Sequence, residues 1–306
     1  MSKLKTDHPI TRRSALSVLG GGLITFTAWP AAIRAGSRAI PTFSFIVVSD
    51  THLGRDDTKA AAEQWTKTAG EIDAASGDFV LHLGVIVDAG REPQYAIYKE
   101  IRKSIRKPIY EIPGNHDRQE LFAKHIRPNS ELAFDHQGVR FLLFNNSRYG
   151  EVDGFVSAEL LKWLGQQCDE AATKGLYVIV VMHVPVHDNK DHAVVGSHVK
   201  PANGQKELYA LLEQHKDRIL ATFHGHFHCG LRGWGDRTPL QEVVFPSALY
   251  NRNLLLTERK ASGYNLPEFR PGFVLAKIDA DGLSLRYKPA GVSETRDKLC
   301  VLRQLK

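Results

Sequence analysis

The chain has 306 residues, 42% of them hydrophobic, and contains three cysteines. This length allows one large globular domain or two small ones, and three cysteines are too few for a disulfide framework. The formal net charge is +6, but residues 1–39 contain six basic residues and one acidic residue, so the other residues carry only +1. The body of the protein therefore has no basic excess that would indicate nucleic acid or an anionic membrane surface as its partner.

The first 39 residues have the organisation of an export segment. A polar stretch leads to Arg12 and Arg13, and a weakly apolar run from Ala15 to Ala28 follows, broken by three consecutive glycines. The run is too short and too rich in glycine for a membrane span, and ordinary helices rarely hold three glycines in a row. The segment resembles a twin-arginine signal, which implies a bacterial periplasmic or cell-surface protein. We therefore expect a signal at 1–39, either cleaved or retained as an anchor, the export machinery as a partner, and a folded domain at 40–306.

After this segment, apolar runs and helical patterns alternate along the chain. β-branched and aromatic residues indicate strands, whereas alanine, glutamate and lysine at helical spacing indicate helices. The first half of the pattern predicts a strand at 43–49, a helix at 58–75, a strand at 79–84, a helix at about 95–106 and a strand at 109–112.

The alternation continues in the second half of the chain. The pattern predicts a strand at 139–144, a helix at about 158–172, a strand at 177–182, a helix at about 206–215 and a strand at 219–223. The tail from 243 to 287 indicates strands and turns, with a hairpin turn at 280–282. Together these elements predict one α/β domain in which helices cover the sheets.

Residues that can bind a metal follow four of these strands. They are Asp50 and His52, Asn115 and His116, His183, and His226 and His228. In α/β sheets the carboxyl ends of the strands meet at a crevice, so we expect these side chains to converge. Carboxylate, imidazole and amide oxygen suit Zn²⁺, Mn²⁺ or Fe, and no thiolate is required.

The motifs at the strand ends resemble those of the calcineurin-like metallophosphoesterases. They read Asp50-x-His52, Gly84-x-x-x-Asp88, Gly114-Asn115-His116-Asp117, His183 and Gly225-His226-x-His228, and the resemblance spans about 43–230. It implies a four-layer α-β-β-α sandwich of a single domain with one or two divalent metal ions, Fe, Mn or Zn. It also implies a hydrolase that cleaves phosphate esters of small molecules, either monoesters or diesters, by means of metal-activated water.

The same resemblance implies roles for individual residues. Asp50, His52 and His228 would hold one metal ion. Asn115, His183 and His226 would hold the other. His116 would stabilise or protonate the leaving oxygen and would be oriented by Asp117. Chemically, two cations about 3.5–4 Å apart can neutralise a phosphate, while an imidazole supplies the proton that the departing alkoxide needs.

The chain departs from the family at position 85. The family's motif there is Gly-Asp-x-x-Asp and its first aspartate bridges both metals, whereas this chain reads Gly84-Val85-Ile86-Val87-Asp88. Valine offers no lone pair, and two nearby cations repel unless an anion lies between them, so metal binding should weaken. Three interpretations remain open: a hydrolase with reduced activity, an inactive protein that binds a phosphorylated ligand, or a substitution in an otherwise competent enzyme.

Other polar residues have more ordinary interpretations. His82 lies within an apolar strand and is expected to be a core histidine, and His224 is expected to support the site or to be a strand residue. Selectivity for the substrate is expected in the stretches 187–204 and 249–271, and the histidines of the first stretch are expected to be solvated. Candidate contacts to the substrate are Trp234, Tyr250, Arg252, Arg259 and Tyr264.

Overall fold

The computed structural model describes residues 42–186, 200–228, 230–233, 240–250, 270–293 and 296–301. The expected export segment, the histidines of 187–199, Cys229, Trp234 and the residues between Tyr250 and Arg270 lie outside this range. No helix in the described ranges is long and apolar enough to cross a membrane.

Twelve strands lie within the described residues. In chain order they are β1 (Phe43–Val48), β2 (Val80–His82), β3 (Ile109–Glu111), β4 (Leu132–His136), β5 (Val139–Leu143), β6 (Tyr177–Val181), β7 (Ile219–His224), β8 (Arg232–Gly233), β9 (Glu242–Val244), β10 (Gly272–Asp279), β11 (Gly282–Pro289) and β12 (Arg296–Val301). The predicted turn at 280–282 is confirmed, because β10 and β11 pair as an antiparallel hairpin that closes at Asp279 and Gly282.

The helices also follow the predicted order. Within the described ranges they are α1 (Thr58–Ala74), α2 (Glu92–Arg102), α3 (Gln119–His125), α4 (Ala158–Thr173) and α5 (Gln205–Gln214), with one 3₁₀ turn at Pro201–Asn203. Asp57 caps α1 by accepting hydrogen bonds from the backbone N–H groups of Lys59 and Ala60, which have no partner inside the helix. The helix α3 and the strand β4 are absent from the sequence prediction, because both are short and neither has a long periodic pattern.

The strands form two six-stranded sheets. The first has the order β12-β11-β10-β1-β2-β3, and the second has the order β4-β5-β6-β7-β9-β8. In the first sheet β1, β2 and β3 are parallel neighbours, and in the second β5, β6, β7 and β9 are parallel neighbours. Antiparallel strands complete each sheet.

Three apolar layers hold this arrangement together. Phe45 of β1 packs between the sheets, edge to face with Phe141 of β5 at a centroid distance of 5.3 Å. On the outer side of the first sheet lie α1, α2 and α3, whose buried residues include Trp65 and Tyr98. On the outer side of the second sheet lie α4 and α5, which bury Leu164 among other residues. The predicted four-layer α-β-β-α sandwich is confirmed.

The two sheets bring their parallel strand ends to the same place. Backbone hydrogen bonds join the loops that follow these strands within each sheet: the N–H of Asp50 donates to the Gly84 carbonyl at 3.0 Å, and the N–H of Gly225 donates to the His183 carbonyl at 3.1 Å. Another joins the two sheets, because the N–H of Ala248, after β9, donates to the Ser49 carbonyl, after β1, at 2.8 Å. Because backbone groups fix these loops to one another, the side chains that follow β1, β2, β3, β6 and β7 have defined positions.

Candidate metal centre

The carboxylate of Asp50 lies at the centre of the converging strand ends. Its Oδ1 atom is 3.0 Å from Nε2 of His228, 3.8 Å from Nε2 of His52 and 3.9 Å from Nε2 of His183. These four residues come from three strand ends in two sheets, β1, β6 and β7. The structure therefore brings together side chains that are up to 178 positions apart in the sequence.

The two oxygens of Asp50 have different surroundings. Oδ2 accepts hydrogen bonds from the Ser49 hydroxyl and, at 3.1 Å, from the backbone N–H of His226. Oδ1 is buried and has no hydrogen-bond partner within the described part of the chain. Burial opposes ionisation of Asp50, but the neighbouring histidines outweigh it and lower the pKa of the carboxyl well below its usual range. An ionised oxygen in this position is suited to bind a cation.

The histidines around Asp50 direct lone pairs toward it. Nδ1 of His52 donates to Oδ1 of Asp88 at 2.8 Å, and Nδ1 of His183 donates to the Leu83 carbonyl at 2.8 Å. In a neutral imidazole with a protonated Nδ1, the Nε2 atom carries a lone pair. Burial lowers the pKa of His52 to about 3 and lowers the pKa of His183 as well, so both rings are neutral at pH 7. Neutral imidazoles held in one tautomer by a second partner are typical metal ligands.

These observations test whether the site fits a divalent metal ion. Ligand atoms of Asp50, His52 and His228 all lie within 4.8 Å of one another. A buried carboxylate oxygen without a hydrogen bond, surrounded by imidazole nitrogens, is costly unless a cation lies between them. The donor set of one carboxylate and two imidazoles matches the preference of Zn²⁺, Mn²⁺ or Fe. The residues present fit such an ion.

A second group of predicted ligands lies on the other side of His183. The side-chain oxygen of Asn115 is 3.2 Å from Nε2 of His183, and the rings of His183 and His226 are 5.2 Å apart. Burial lowers the pKa of His226 well below its usual value, and the nearby His183 lowers it further. This group has no carboxylate of its own, so its neutral donors offer a cation less charge than the first group does.

Val85 occupies the space beside this second group. It is 1% exposed, and a side chain added at Gly114 would collide with its Cγ2 atom while lying 2.9 Å from Nε2 of His183. The Cγ2 methyl group of Val85 therefore lies next to both the His183 ring and the Gly114 backbone. A valine side chain at this position offers no ligand atom to a cation.

The backbone around the site is strained. Seven described residues other than glycine have positive φ, and five of them are in these motifs: Asp50, His52, Val85, His226 and His228. Asparagine and aspartate tolerate this region, whereas a β-branched residue such as Val85, with φ of +51°, is a marked outlier. Strain of this kind persists where the surrounding structure imposes it, and it clusters at functional sites.

His116 is held by a different partner from the one expected. Its Nδ1 donates to the backbone carbonyl of Asp88 at 2.6 Å, which leaves Nε2 without its proton in the neutral ring. Its ring lies 4.6 Å from the ring of His52, at the edge of the Asp50 group. The orienting partner in the structure is thus the Asp88 carbonyl, and the expected orientation of His116 by Asp117 is wrong.

The carboxylate of Asp117 instead joins two loops. It accepts backbone hydrogen bonds from Ile86, Val87 and Gly114 at 2.9, 3.2 and 2.9 Å, and one from the Tyr95 hydroxyl at 2.8 Å. Burial raises the pKa of Asp117 to about 6, although these four donors favour its ionised form. Asp117 therefore fixes the loops after β2 and β3 in place.

Some residues at the site could not be recognised from the sequence. The Ser247 hydroxyl donates to the Asp50 carbonyl at 2.8 Å, and Arg55 stacks on the ring of Tyr250, which lies 4.0 Å from the ring of His228. Tyr250 was among the expected substrate contacts, but no motif distinguishes Ser247 or Arg55 from other polar residues.

His82 and His224, which are not expected to bind a metal directly, lie behind the site. His82 is buried, with its Nε2 2.5 Å from the Thr51 hydroxyl, and it accepts a hydrogen bond from the Gly84 N–H at 3.3 Å. This confirms it as a core histidine. His224 is a buried residue of β7 whose Nε2 is 2.8 Å from the Thr222 hydroxyl and 3.5 Å from Glu242.

Residues 43–230 match the profile of the calcineurin-like phosphoesterase family. The glycerophosphodiester phosphodiesterase GpdQ of Enterobacter lignolyticus is 29% identical over 156 residues, which is 45% of this chain and 55% of that protein. The 3',5'-cyclic adenosine monophosphate phosphodiesterase CpdA of Haemophilus influenzae is 26% identical over 216 residues, which is 61% of this chain and 70% of that protein. The match thus spans about half the length of GpdQ.

Solved structures show the same fold. A dimetal phosphatase from Danio rerio superposes with a TM-score of 0.62 and 13% identity, covering 84% of this chain and 99% of that one. The purple acid phosphatase PPD1 of yellow lupin superposes with a TM-score of 0.63 and 15% identity, covering 85% of this chain and 53% of that one. At this level of identity, the resemblance concerns the fold alone.

Proposed function

The chain belongs to the calcineurin-like phosphoesterase family, and we propose that it is a metal-dependent hydrolase of phosphate esters, with small phosphodiesters as its first candidate substrates. The observation that carries the proposal is the buried Asp50 Oδ1, which lacks a hydrogen bond and lies within 3.9 Å of three imidazole nitrogens. The names of the relatives GpdQ and CpdA, both phosphodiesterases, support the choice of diesters.

In this proposal Asp50, His52 and His228 hold one divalent cation, and Asn115, His183 and His226 hold a second one more weakly. A bound cation supplies positive charge for the phosphoryl group and lowers the pKa of a water ligand. Fe, Mn and Zn all suit the donors. Asp88 keeps His52 in the tautomer that presents Nε2, because it accepts the Nδ1 proton at 2.8 Å.

His116 supplies the proton in this mechanism. Nδ1–H donates its hydrogen bond to the Asp88 carbonyl. The proton that the leaving oxygen takes up must therefore come from Nε2 of the protonated ring. His116 is partly exposed at the edge of the cluster, where solvent can return that proton after each turnover. Asp117 acts indirectly by holding the His116 loop against the loop after β2.

The test is hydrolysis of a generic aryl phosphodiester and an aryl phosphomonoester by the metal-loaded chain and by Asp50→Asn. We expect a rate that depends on added Mn²⁺, Zn²⁺ or Fe²⁺ and that Asp50→Asn abolishes together with metal binding. An equal rate in both proteins, or a rate that survives chelation, would show that the activity comes from elsewhere.

A second candidate is a protein that binds a phosphorylated ligand without hydrolysing it. The buried methyl groups of Val85 beside His183 favour it, because they replace a charged ligand at the weaker half of the site. Metal-dependent binding of inorganic phosphate together with no hydrolysis of either ester would support this candidate over the hydrolase.

We also propose export by the twin-arginine route, on the basis of the sequence around Arg12 and Arg13. Replacing both arginines by lysine keeps the charge and removes the guanidinium pair. We expect the variant to accumulate in the cytoplasm of a bacterial host while the parent chain reaches the periplasm or cell surface. Equal distribution in cell fractions would rule this route out.

A further inference from the structure

An arginine lies at the rim of the candidate metal centre. The guanidinium carbon of Arg55 is 3.8 Å from the centre of the Tyr250 ring, and its Nη1 is 3.5 Å from Oδ1 of Asp88. The side chain is 31% exposed, so it contacts both the protein and solvent. Arg55 follows His52 by three positions in the loop after β1, which places its charge beside the Asp50 group.

The ring under Arg55 is fixed relative to the proposed metal ligands. Tyr250 lies 4.0 Å from the ring of His228 and 4.7 Å from the ring of His52, measured between centroids. Its backbone N–H donates to the Ser247 hydroxyl at 2.7 Å, and that hydroxyl donates to the Asp50 carbonyl at 2.8 Å. Tyr250 and Arg55 therefore have positions set by the same residues that would bind the cation.

The charges near the centre explain what Arg55 can do there. Asp50 and Asp88 place two carboxylates beside His52, with oxygens 3.8 Å from its Nε2 and 2.8 Å from its Nδ1. A phosphate that approaches this centre is therefore repelled by two carboxylates, while any bound cation attracts it. A planar guanidinium can donate two parallel hydrogen bonds to phosphoryl oxygens, and stacking on an aromatic ring limits the orientations it must give up on binding.

We propose that Arg55 is a phosphate-binding residue, stacked on Tyr250, that contacts non-bridging oxygens of the substrate on the His52 and His228 side of the site. This rests on the proposed function and deepens it. A phosphomonoester carries more negative charge than a phosphodiester, so Arg55 shifts the selectivity of the site toward monoesters. With Val85 weakening the second cation site, the fixed charge of Arg55 supplies part of the positive charge that the phosphoryl group requires.

Calorimetric titration of inorganic phosphate into the Mn²⁺-loaded full chain tests this directly, without relying on turnover. The variants are Arg55→Gln and Arg55→Lys, with Arg106→Gln as the matched control. Arg106 also pairs with one aspartate, Asp73, at 2.8 Å, but its side chain is 83% exposed in the loop between α2 and β3. We expect Arg55→Gln to bind phosphate at least about tenfold more weakly, Arg55→Lys to bind with intermediate affinity and Arg106→Gln to match the parent chain.

Two further readouts separate this role from a structural one. Metal content should be the same in Arg55→Gln and the parent chain, and the ratio of kcat/KM for the monoester to that for the diester should fall in Arg55→Gln. Equal phosphate affinity in the two proteins, loss of metal in Arg55→Gln, or no phosphate binding by the parent chain would each overturn the inference. Phosphate binding that depends on Arg55 in a chain that hydrolyses neither ester would support the inference while overturning the hydrolase.

Discussion

The role that a histidine at the site can take depends on its hydrogen-bond partners as well as on its identity. His52 and His183 are ligand candidates because Asp88 and the Leu83 carbonyl take their Nδ1 protons. His82 is equally buried but donates to the Thr51 hydroxyl and accepts from the Gly84 N–H, so both of its nitrogens are occupied. The partner of the second nitrogen thus distinguishes a ligand candidate from a core histidine.

The proton-donating role proposed for His116 predicts that the effect of replacing it depends on the leaving group. In His116→Ala, kcat for a substrate with an alkyl leaving group should fall by roughly 10²–10⁴, because an alkoxide needs the proton. An aryl substrate such as a nitrophenyl phosphodiester should lose much less, since its leaving group departs unprotonated. Steady-state kinetics on both substrates provide the measurement. Equal losses on both would mean that His116 positions the substrate or the metal instead.

The sequence predicts that the candidate ligands converge, but it does not predict which groups they contact. The sequence motifs placed Asp50, His183 and His228 at strand ends, and the structure brings them together. The partner of His116 is not predictable from the sequence, because it is a backbone carbonyl, which has no sequence pattern, and not the adjacent Asp117. The role proposed for Arg55 is also not predictable from the sequence, because it depends on Tyr250, which lies 195 positions later.

At the scale of whole elements, parallel strands explain why the site exists. The loops after β2 and β3 are joined by Asp117, and the loop after β7 lies against Asp50 through Gly225. A side chain at Gly225 would collide with the Ser49 hydroxyl and lie 2.5 Å from Oδ2 of Asp50, so glycine permits the approach of the two sheets. Strong strand and helix patterns made most elements predictable, whereas the short α3 and β4 depend on tertiary packing.

The role of Asp117 as a link between loops predicts a large effect on stability. Asp117→Ala leaves three buried backbone N–H groups and the Tyr95 hydroxyl without this acceptor. At about 1–3 kcal/mol for each of the three unsatisfied N–H groups, we expect the free energy of unfolding to fall by at least about 3 kcal/mol. Urea denaturation of the metal-free chain measures it, with Tyr95→Phe as a control that removes one bond and costs about 1 kcal/mol. A loss no greater than that of the control would contradict the linking role.

The buried histidine of β2 predicts a dependence of stability on pH. Burial lowers the pKa of His82 to about 3, so the folded chain keeps this ring neutral where the unfolded chain binds a proton. Protons therefore favour the unfolded state as the pH falls from 6.5 toward 3. This group alone should cost about 2 kcal/mol between pH 7 and pH 5, and His82→Gln should remove that part of the loss. Equal losses in the two metal-free proteins, measured by urea denaturation at both pH values, would show that His82 is not involved.

Over the described residues, the molecule combines a four-layer sandwich with a candidate metal centre that has no carboxylate at position 85. Both sheets, five strand ends and the first ligand group are in place, whereas position 85 contributes a buried valine with φ of +51°. An aspartate fits this backbone conformation better than a β-branched residue does, and it would add a carboxylate next to His183. In the proposed arrangement, Val85 is therefore the side chain that limits the binding of a second cation.

Elemental analysis of the purified chain after loading with Mn²⁺ and removal of excess metal tests this most directly, alongside Val85→Asp and Val85→Asn. We expect about one metal ion per chain for the parent protein and for Val85→Asn, which relieves the backbone without adding charge, and about two for Val85→Asp. Hydrolysis of the aryl phosphodiester should rise in Val85→Asp alone. A parent chain that holds no metal, or that holds two and hydrolyses as fast as Val85→Asp, would contradict the arrangement of the site proposed above.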